Sequence, residues 1–270
     1  YFHKENRDAG KLIEYVGFAL HQAKISGKNN CMRYSYAVYE EYVHALDVQE
    51  ELRKDIENDF QGFELYYQPV VNIAKKKILG AEALIRWRDN DGRMISPAVF
   101  IPIAEKNGTI VPIGAWVVDE SIRIFSQWKK DYRIPMILSL NISAIQYNRD
   151  DFVDMILNCL KKYDLDPNFL ELEITESVFI ENFHDVTEKL RLLREYGIKV
   201  SLDDFGTGYS GLSYLQDLHI DYIKIDQSFV ARVNENEDST LILDSVLELA
   251  KKLSIRIVAE GVETQEQLDY

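Results

Sequence analysis

From Gly62 onward the sequence alternates short β-branched runs with amphipathic stretches, and nearly every run closes on a polar or acidic side chain. The runs read FELYYQPVV, ILGAEALIRW, MILSLNIS, FLELEIT, IKVSLDDF, DYIKID and IRIVAEGV. Between them lie helical patterns such as DSTLILDSVLELAKKL, where Leu241, Val246, Leu249 and Leu253 recur at helical spacing after an Asp238/Ser239 start signal. Strand alternating with helix over about two hundred residues implies an α/β chain with a parallel sheet, open or closed. A closed (β/α)8 barrel needs about 250 residues and carries its chemistry on the loops that follow the strands. Asn141, then Glu173 with Thr175, then Asp203 with Asp204, then Asp226 and Glu260 close successive runs. An open doubly wound sheet gathers its site at one crevice, whereas polar groups ending nearly every strand suit a ring of strands. The expected fold is a barrel.

Charge narrows the ligand classes. Asp and Glu number 45 against 31 Lys and Arg, a net charge of -14. A phosphate backbone is bound by fields of Lys and Arg, so this balance argues against a duplex nucleic acid partner. An anionic ligand would need help from metal ions. Cys31 and Cys159 stand far apart and form no C-x-x-C, which suggests neither a disulfide framework nor a zinc site and fits a reducing cytoplasm. The most apolar stretch, IVPIGAWVV, is much shorter than the roughly 20 residues of a membrane helix. The chain starts at Tyr1 and stops at Tyr270 within a helical pattern, so it reads as a piece of a longer protein. Ahead of Gly62 the pattern changes: GKLIEYVGFALHQAKISGKNN reads as an amphipathic helix ended by Gly27, and SYAVYEEYVHALDVQEELRKDIENDF as a charged helix suited to link domains.

The stretch SLDDFGTGYSGL allows three readings. Gly206, Gly208 and Gly211 spell G-x-G-x-x-G after a strand, with Asp226 about 20 residues on, as in a dinucleotide fold. Asp203 and Asp204 would then face the same pyrophosphate, which argues against an oxidoreductase site. A tight turn is the plainer alternative. The third reading is a metal site, and it gains from the surrounding residues. Alternation puts Glu171 and Glu173 opposite Leu170, Leu172 and Ile174, hence inward in a barrel. Glu82, Glu173, Asp203, Asp204 and Glu260 converging there would repel one another unless cations lay between them. Carboxylates with the Asn141 amide suit Mg²⁺ or Mn²⁺ better than zinc. Lys224 and Asp226 share the face opposite Ile223 and Ile225, either as a structural ion pair or with the ammonium beside a metal-bound water or a phosphate. Gln68 and Arg86 could offer an amide and a phosphate clamp, or could serve a strand end and a surface ion pair. The five histidines lack ligand spacing, and no G-x-S-x-G elbow supports serine acyl transfer.

Taken together, EALIRW, YYQP, LSLNIS, ELEITES, DDFGTGYSGL, YIKID and VAEGVET make residues 61–270 resemble the EAL-domain family of cyclic di-GMP phosphodiesterases. The resemblance implies a modified TIM barrel with its first strand antiparallel, and hydrolysis of cyclic di-GMP to linear pGpG with two Mg²⁺ or Mn²⁺ ions. By position it implies metal ligands at Glu82, Asn141, Glu173, Asp203, Asp204 and Glu260, and a water-positioning Lys224. It also implies substrate contacts at Gln68, Leu84 and Arg86, supporting acids at Glu176 and Glu263, and a homodimer as a common family state. Every such position has the expected residue type, which favours an enzyme over a receptor that binds cyclic di-GMP without cleaving it. Gly211 stands where the family usually has Ser, and the sequence stops before the expected last strand and its Q-G-Y loop. Residues 1–35 resemble the C-terminal end of a GGDEF domain through ALHQAKISGKNN, leaving 36–60 as the linker helix.

Overall fold

The computed structural model describes residues 8–25, 27, 31, 34–132, 136–179, 183–205, 218–233 and 237–270. Two compact units emerge, Tyr1–Asn58 and Asp59–Tyr270. In the first, α1 (Ala9–Ile25) and α2 (Tyr36–Glu57) are joined by aromatic packing. Tyr15 stacks on Tyr34 at 4.5 Å between centroids, and the buried Phe18 meets Tyr39 edge-on.

The second unit is built on one sheet. Strands β1 (Phe63–Asn72) and β2 (Lys77–Arg88) form an antiparallel hairpin, with the two-residue β3 (Met94–Ile95) also antiparallel to β2. Next come β4 (Ile137–Ile142), β5 (Leu170–Thr175), β6 (Lys199–Phe205), β7 (Tyr222–Ile225) and β8 (Arg256–Ala259), each parallel to its neighbour in the order β1-β2-β4-β5-β6-β7-β8. The helices between them are α3 (Pro97–Asn107), α4 (Ile110–Tyr132), α5 (Ala144–Tyr147), α6 (Phe152–Tyr163), α7 (Phe183–Glu195), α8 (Gln227–Ala231) and α9 (Glu237–Leu253), with α10 (Gln265–Asp269) last. Among the described residues no helix is long and apolar enough to cross a membrane.

Each strand has two unlike faces. Leu138, Leu140, Leu170, Leu172, Ile174, Val200, Leu202 and Ile223 are buried in one continuous core with Val118, Ile122 and Phe125 of α4 and Ile156 of α6. That face is the reason for the helical shell, since each amphipathic helix must cover its apolar stripe. The helix ends follow local chemistry: Ser143 accepts from the Gln146 N–H at the start of α5, and α3 starts with Pro97 and stops at Gly108 in the left-handed region.

The opposite face is polar and encloses a lumen. Lys224 of β7 lies 3.5 Å from Glu82 of β2, four strands away along the sheet. In a flat sheet these strands would be about 19 Å apart, so the sheet curls strongly, as in a TIM-like barrel. Deeper in the strands Arg256 donates to the Tyr222 hydroxyl at 3.0 Å, and Glu171 is buried. The antiparallel first strand and the ring-like parallel remainder agree with the fold expected from sequence.

Candidate active site

Lys224 is the centre of the site. Its Nζ lies 2.6 Å from Glu173 Oε2, 2.7 Å from Glu260 Oε1, 3.3 Å from Asp203 Oδ1 and 3.5 Å from Glu82 Oε2. The four carboxylates come from four different strands or their ends: Glu82 from the middle of β2, Glu173 and Asp203 from β5 and β6, and Glu260 from just after β8. Residue parity supplies this convergence on β5 and β7: Glu173 and Lys224 alternate with the aliphatic neighbours that anchor the outer face. Glu260 follows β8, held by its N–H donating to the Ile225 carbonyl at 3.1 Å. Gly261 makes this turn possible. Its φ is +65°, and a Cβ there would stand 2.5 Å from Gln227 Cβ, so only glycine fits both the conformation and the space.

Asp203 and Asp204 reach the site through an irregularity. Leu202 pairs with Ile223 and Phe205 with Ile225, so two residues of β6 face the single Lys224 of β7. Asp204 occupies the left-handed region at φ 53°, and its N–H donates to Asp203 Oδ1 at 3.0 Å. This is a β-bulge, which lets adjacent side chains that plain alternation would send to opposite faces stay near one mouth. Asp203 is buried and Asp204 exposed.

The remaining positions take their places on β1, β2 and β4. Glu82 pairs with Gln68 across the hairpin, and Leu84 and Arg86 follow Glu82 on the same face. Asn141, at the end of β4, donates through Nδ2 to Glu82 Oε1 at 2.7 Å. Arg86 lies over the Tyr66 ring, 5.6 Å from its centroid, and donates to the Ile85 carbonyl at 2.8 Å. Glu176 opens the short 3-10 helix Glu176–Phe179 just after β5. Glu263 is exposed, and its N–H donates to the Gln267 side chain at 2.7 Å; its carboxylate is not one of the four around Lys224.

Charge in this lumen is unevenly matched, four carboxylates against one ammonium. Burial works against the Lys224 ammonium, but Glu173, Asp203 and Glu82 outweigh it and hold its pKa well above that of an ordinary lysine. Burial lifts the Glu173 carboxyl well above the usual range; Lys224 pulls it back and Glu82 and Asp203 push it further up. Glu260 is raised by burial despite its bond to Lys224, and Asp204 by burial and then by Asp203 and Asp226. Among the described residues no three His, Cys, Asp or Glu side chains surround one point closely enough to hold a metal ion as they stand, because their oxygens turn to Lys224.

One pairing weighed from sequence does not form. Asp226 was a possible partner for Lys224 within the barrel, yet it serves as the N-cap of α8, accepting from the Ser228 N–H at 2.9 Å. The helix start lies at that residue, and satisfying its free N–H groups takes the carboxylate. Gly206, Gly208 and Gly211, the basis of the dinucleotide reading, lie outside the described residues. So does the loop that Glu176 is expected to hold. Two features escaped the sequence reading: the bulge, and the exposed ring of Tyr66 beside Gln68 and Arg86.

The sequence profile of the family described as the EAL domain matches residues 49–270. The probable cyclic di-GMP phosphodiesterase PdeG of Escherichia coli (strain K12) is 49% identical over 205 residues, covering 76% of this chain and 40% of that protein. The signaling protein YkoW of Bacillus subtilis (strain 168) is 38% identical over 264 residues, covering 98% of this chain and 33% of its own length. The chain thus spans between a third and two fifths of these curated relatives. Among solved structures, the PaMucR phosphodiesterase in complex with c-di-GMP superposes with a TM-score of 0.78 at 36% identity, over 83% of this chain and 90% of that one. The profile match over the whole second unit, together with these relatives, shows that the chain belongs to the EAL-domain family.

Proposed function

We propose that this chain hydrolyses cyclic di-GMP to linear pGpG. The observation that carries the reading is the gathering of Glu82, Glu173, Asp203 and Glu260, from four strands of the barrel, within 3.5 Å of one buried ammonium. PdeG, named for this activity, and the c-di-GMP complex of PaMucR support the substrate.

The donor set fits two Mg²⁺ or Mn²⁺ ions: it is all oxygen, and its negative charge exceeds what Lys224 alone offsets. Glu82, Asn141, Glu173, Asp203, Asp204 and Glu260 would hold them. Bound there, the ions polarise the phosphodiester and acidify water.

The chain's own groups do the rest. Lys224 carries only donors, so it orients the attacking water and offsets charge on the phosphate but accepts no proton. Water adds its oxygen to phosphorus, the P–O3′ bond breaks, and the 3′-oxygen leaves with a proton. Gln68, Leu84 and Arg86 line the approach on β1 and β2, with Arg86 suited to clamp a phosphate oxygen pair. Glu176 and Glu263 support the loops beside Asp204 and Glu260.

Chromatography of full-length protein incubated with cyclic di-GMP and Mn²⁺ tests the reading. Appearance of pGpG is expected; tight binding with no product would make the protein a receptor instead. Residues 1–35 are read, on the stretch ALHQAKISGKNN, as the end of a GGDEF domain and 36–60 as its linker. A homodimer in the cytoplasm completes the proposal.

A further inference from the structure

The rim of the barrel carries a second cluster. On the luminal side of the hairpin, Glu64, Tyr66 and Gln68 of β1 face Arg86, Leu84 and Glu82 of β2 in register. Tyr66 is 46% exposed although Arg86 lies over its ring. Arg88, next on that face, donates from Nε to Glu64 Oε1 at 3.0 Å and from Nη2 to the Tyr66 hydroxyl at 3.5 Å. Both members of the Arg88–Glu64 pair remain about 40% exposed. An exposed aromatic ring is flanked by two oriented guanidinium groups, one pleat repeat (about 7 Å) outward from Glu82. Structural packing does not require such a ring, because the buried aromatics of this hairpin, Phe63 and Trp87, are on the other face.

We propose that Tyr66 and Arg88 form a guanine-reading subsite, the Tyr66 ring stacking on the purine and Arg88 donating to its O6/N7 edge. The inference rests on the phosphodiesterase reading above. A nucleotide whose phosphate sits at the level of Glu82 projects its base outward along the hairpin, toward Tyr66. Stacking alone tolerates any base, since every base has a π-face. The guanidinium supplies discrimination: guanine presents two acceptors, O6 and N7, whereas adenine presents an amino donor at the position of O6. Glu64 fixes Arg88 in the plane from which it can donate.

Steady-state kinetics of the full-length protein with Mn²⁺, using cyclic di-GMP and cyclic di-AMP, test the subsite. Tyr66→Ala should raise KM for cyclic di-GMP roughly 10- to 100-fold, with little change in kcat. Tyr66→Phe should recover most of that loss, which a role for the hydroxyl alone would not allow. Arg88→Ala should cut the preference for cyclic di-GMP over cyclic di-AMP by about 10-fold. An unchanged KM in Tyr66→Ala, or an unchanged preference in Arg88→Ala, overturns the subsite while leaving the phosphodiesterase reading intact. If the unsubstituted protein makes no product, calorimetry with cyclic di-GMP decides. Weaker binding by Tyr66→Ala supports the subsite, and equal or absent binding overturns it.

Discussion

The two faces of the same sheet follow opposite rules. Leu172 and Glu173 are neighbours on β5, both buried, one locked among aliphatic side chains and the other held by Lys224. On the outer face shape and volume decide, and any well-fitting aliphatic group serves. On the inner face charge decides, and the arrangement is costly by itself: several acids share one ammonium and burial opposes their ionisation. The difference teaches that stability and chemistry are separated here by one residue of parity, so substitutions one position apart should fail in different assays.

The sharpest break is expected at Lys224. Lys224→Ala should lower turnover by about 10²- to 10³-fold, the range for losing one preorganised donor that offsets charge developing in the transition state. Retained activity in the chromatographic assay would remove Lys224 from the mechanism. Leu172→Ala should act on the other side of the comparison. Opening a cavity at this fully buried position costs about 2–5 kcal/mol, visible as a fall in Tm or denaturant midpoint, while kcat per folded molecule stays near that of the parent.

Asp204→Gly separates backbone from charge. Glycine accepts the left-handed φ of 53°, so unfolding should be little changed or shifted upward, while turnover drops by roughly 10- to 100-fold. Unaltered turnover would show that the carboxylate has no role. Gly261→Ala should act on both at once, costing about 1–2 kcal/mol from the positive φ and the contact with Gln227. Because Glu260 precedes it, activity should fall with stability.

The smallest effect belongs to the helical shell. Asp119 of α4 accepts from Lys162 at 2.7 Å and from the Tyr163 hydroxyl at 2.7 Å, both at the end of α6. Burial pushes its carboxyl up, but Lys162 and Tyr163 outweigh this and set its pKa below the usual value. Such a group contributes stability in full above the unfolded-state pKa of about 3.9, and that stability is lost as pH falls through the lower folded value. Asp119→Asn should therefore lower stability at pH 7 by less than about 1 kcal/mol for so exposed a pair, read as a small fall in Tm. The gap to the parent should close in strong acid; a gap that widened there would invert the assignment.

Much of this was legible in the sequence because it depends on parity within a strand. Glu173 opposite Ile174, and Lys224 opposite Ile223 and Ile225, follow from a period of two, and those strands occur where the β-branched runs stand. What was not legible depends on partners elsewhere in the chain. The two-against-one pairing at Asp203 and Asp204 is set by where β7 aligns, which no local pattern records. Asp226 shares parity with Lys224, yet a helix begins there and capping takes its side chain. The antiparallel β1–β2 turn contains no Asn-Gly signal; Asn72 holds it by accepting from the Lys75 N–H, and its direction entered through family resemblance. The strand Met94–Ile95 is too short to carry any periodicity.

The bulge on β6 also makes the strand sensitive to length. Removing one of the two aspartates would restore regular pairing and, by common measures of sheet quality, improve the strand. Phe205 would stay opposite Ile225 and keep its buried place, with a single aspartate left facing Lys224. A one-residue deletion at this point would therefore discard an acid and the left-handed turn that presents it while the anchors on either side stay in register. The extra residue in β6 is thus kept at the expense of a regular ladder, and what it adds is a second carboxylate at the mouth of the barrel.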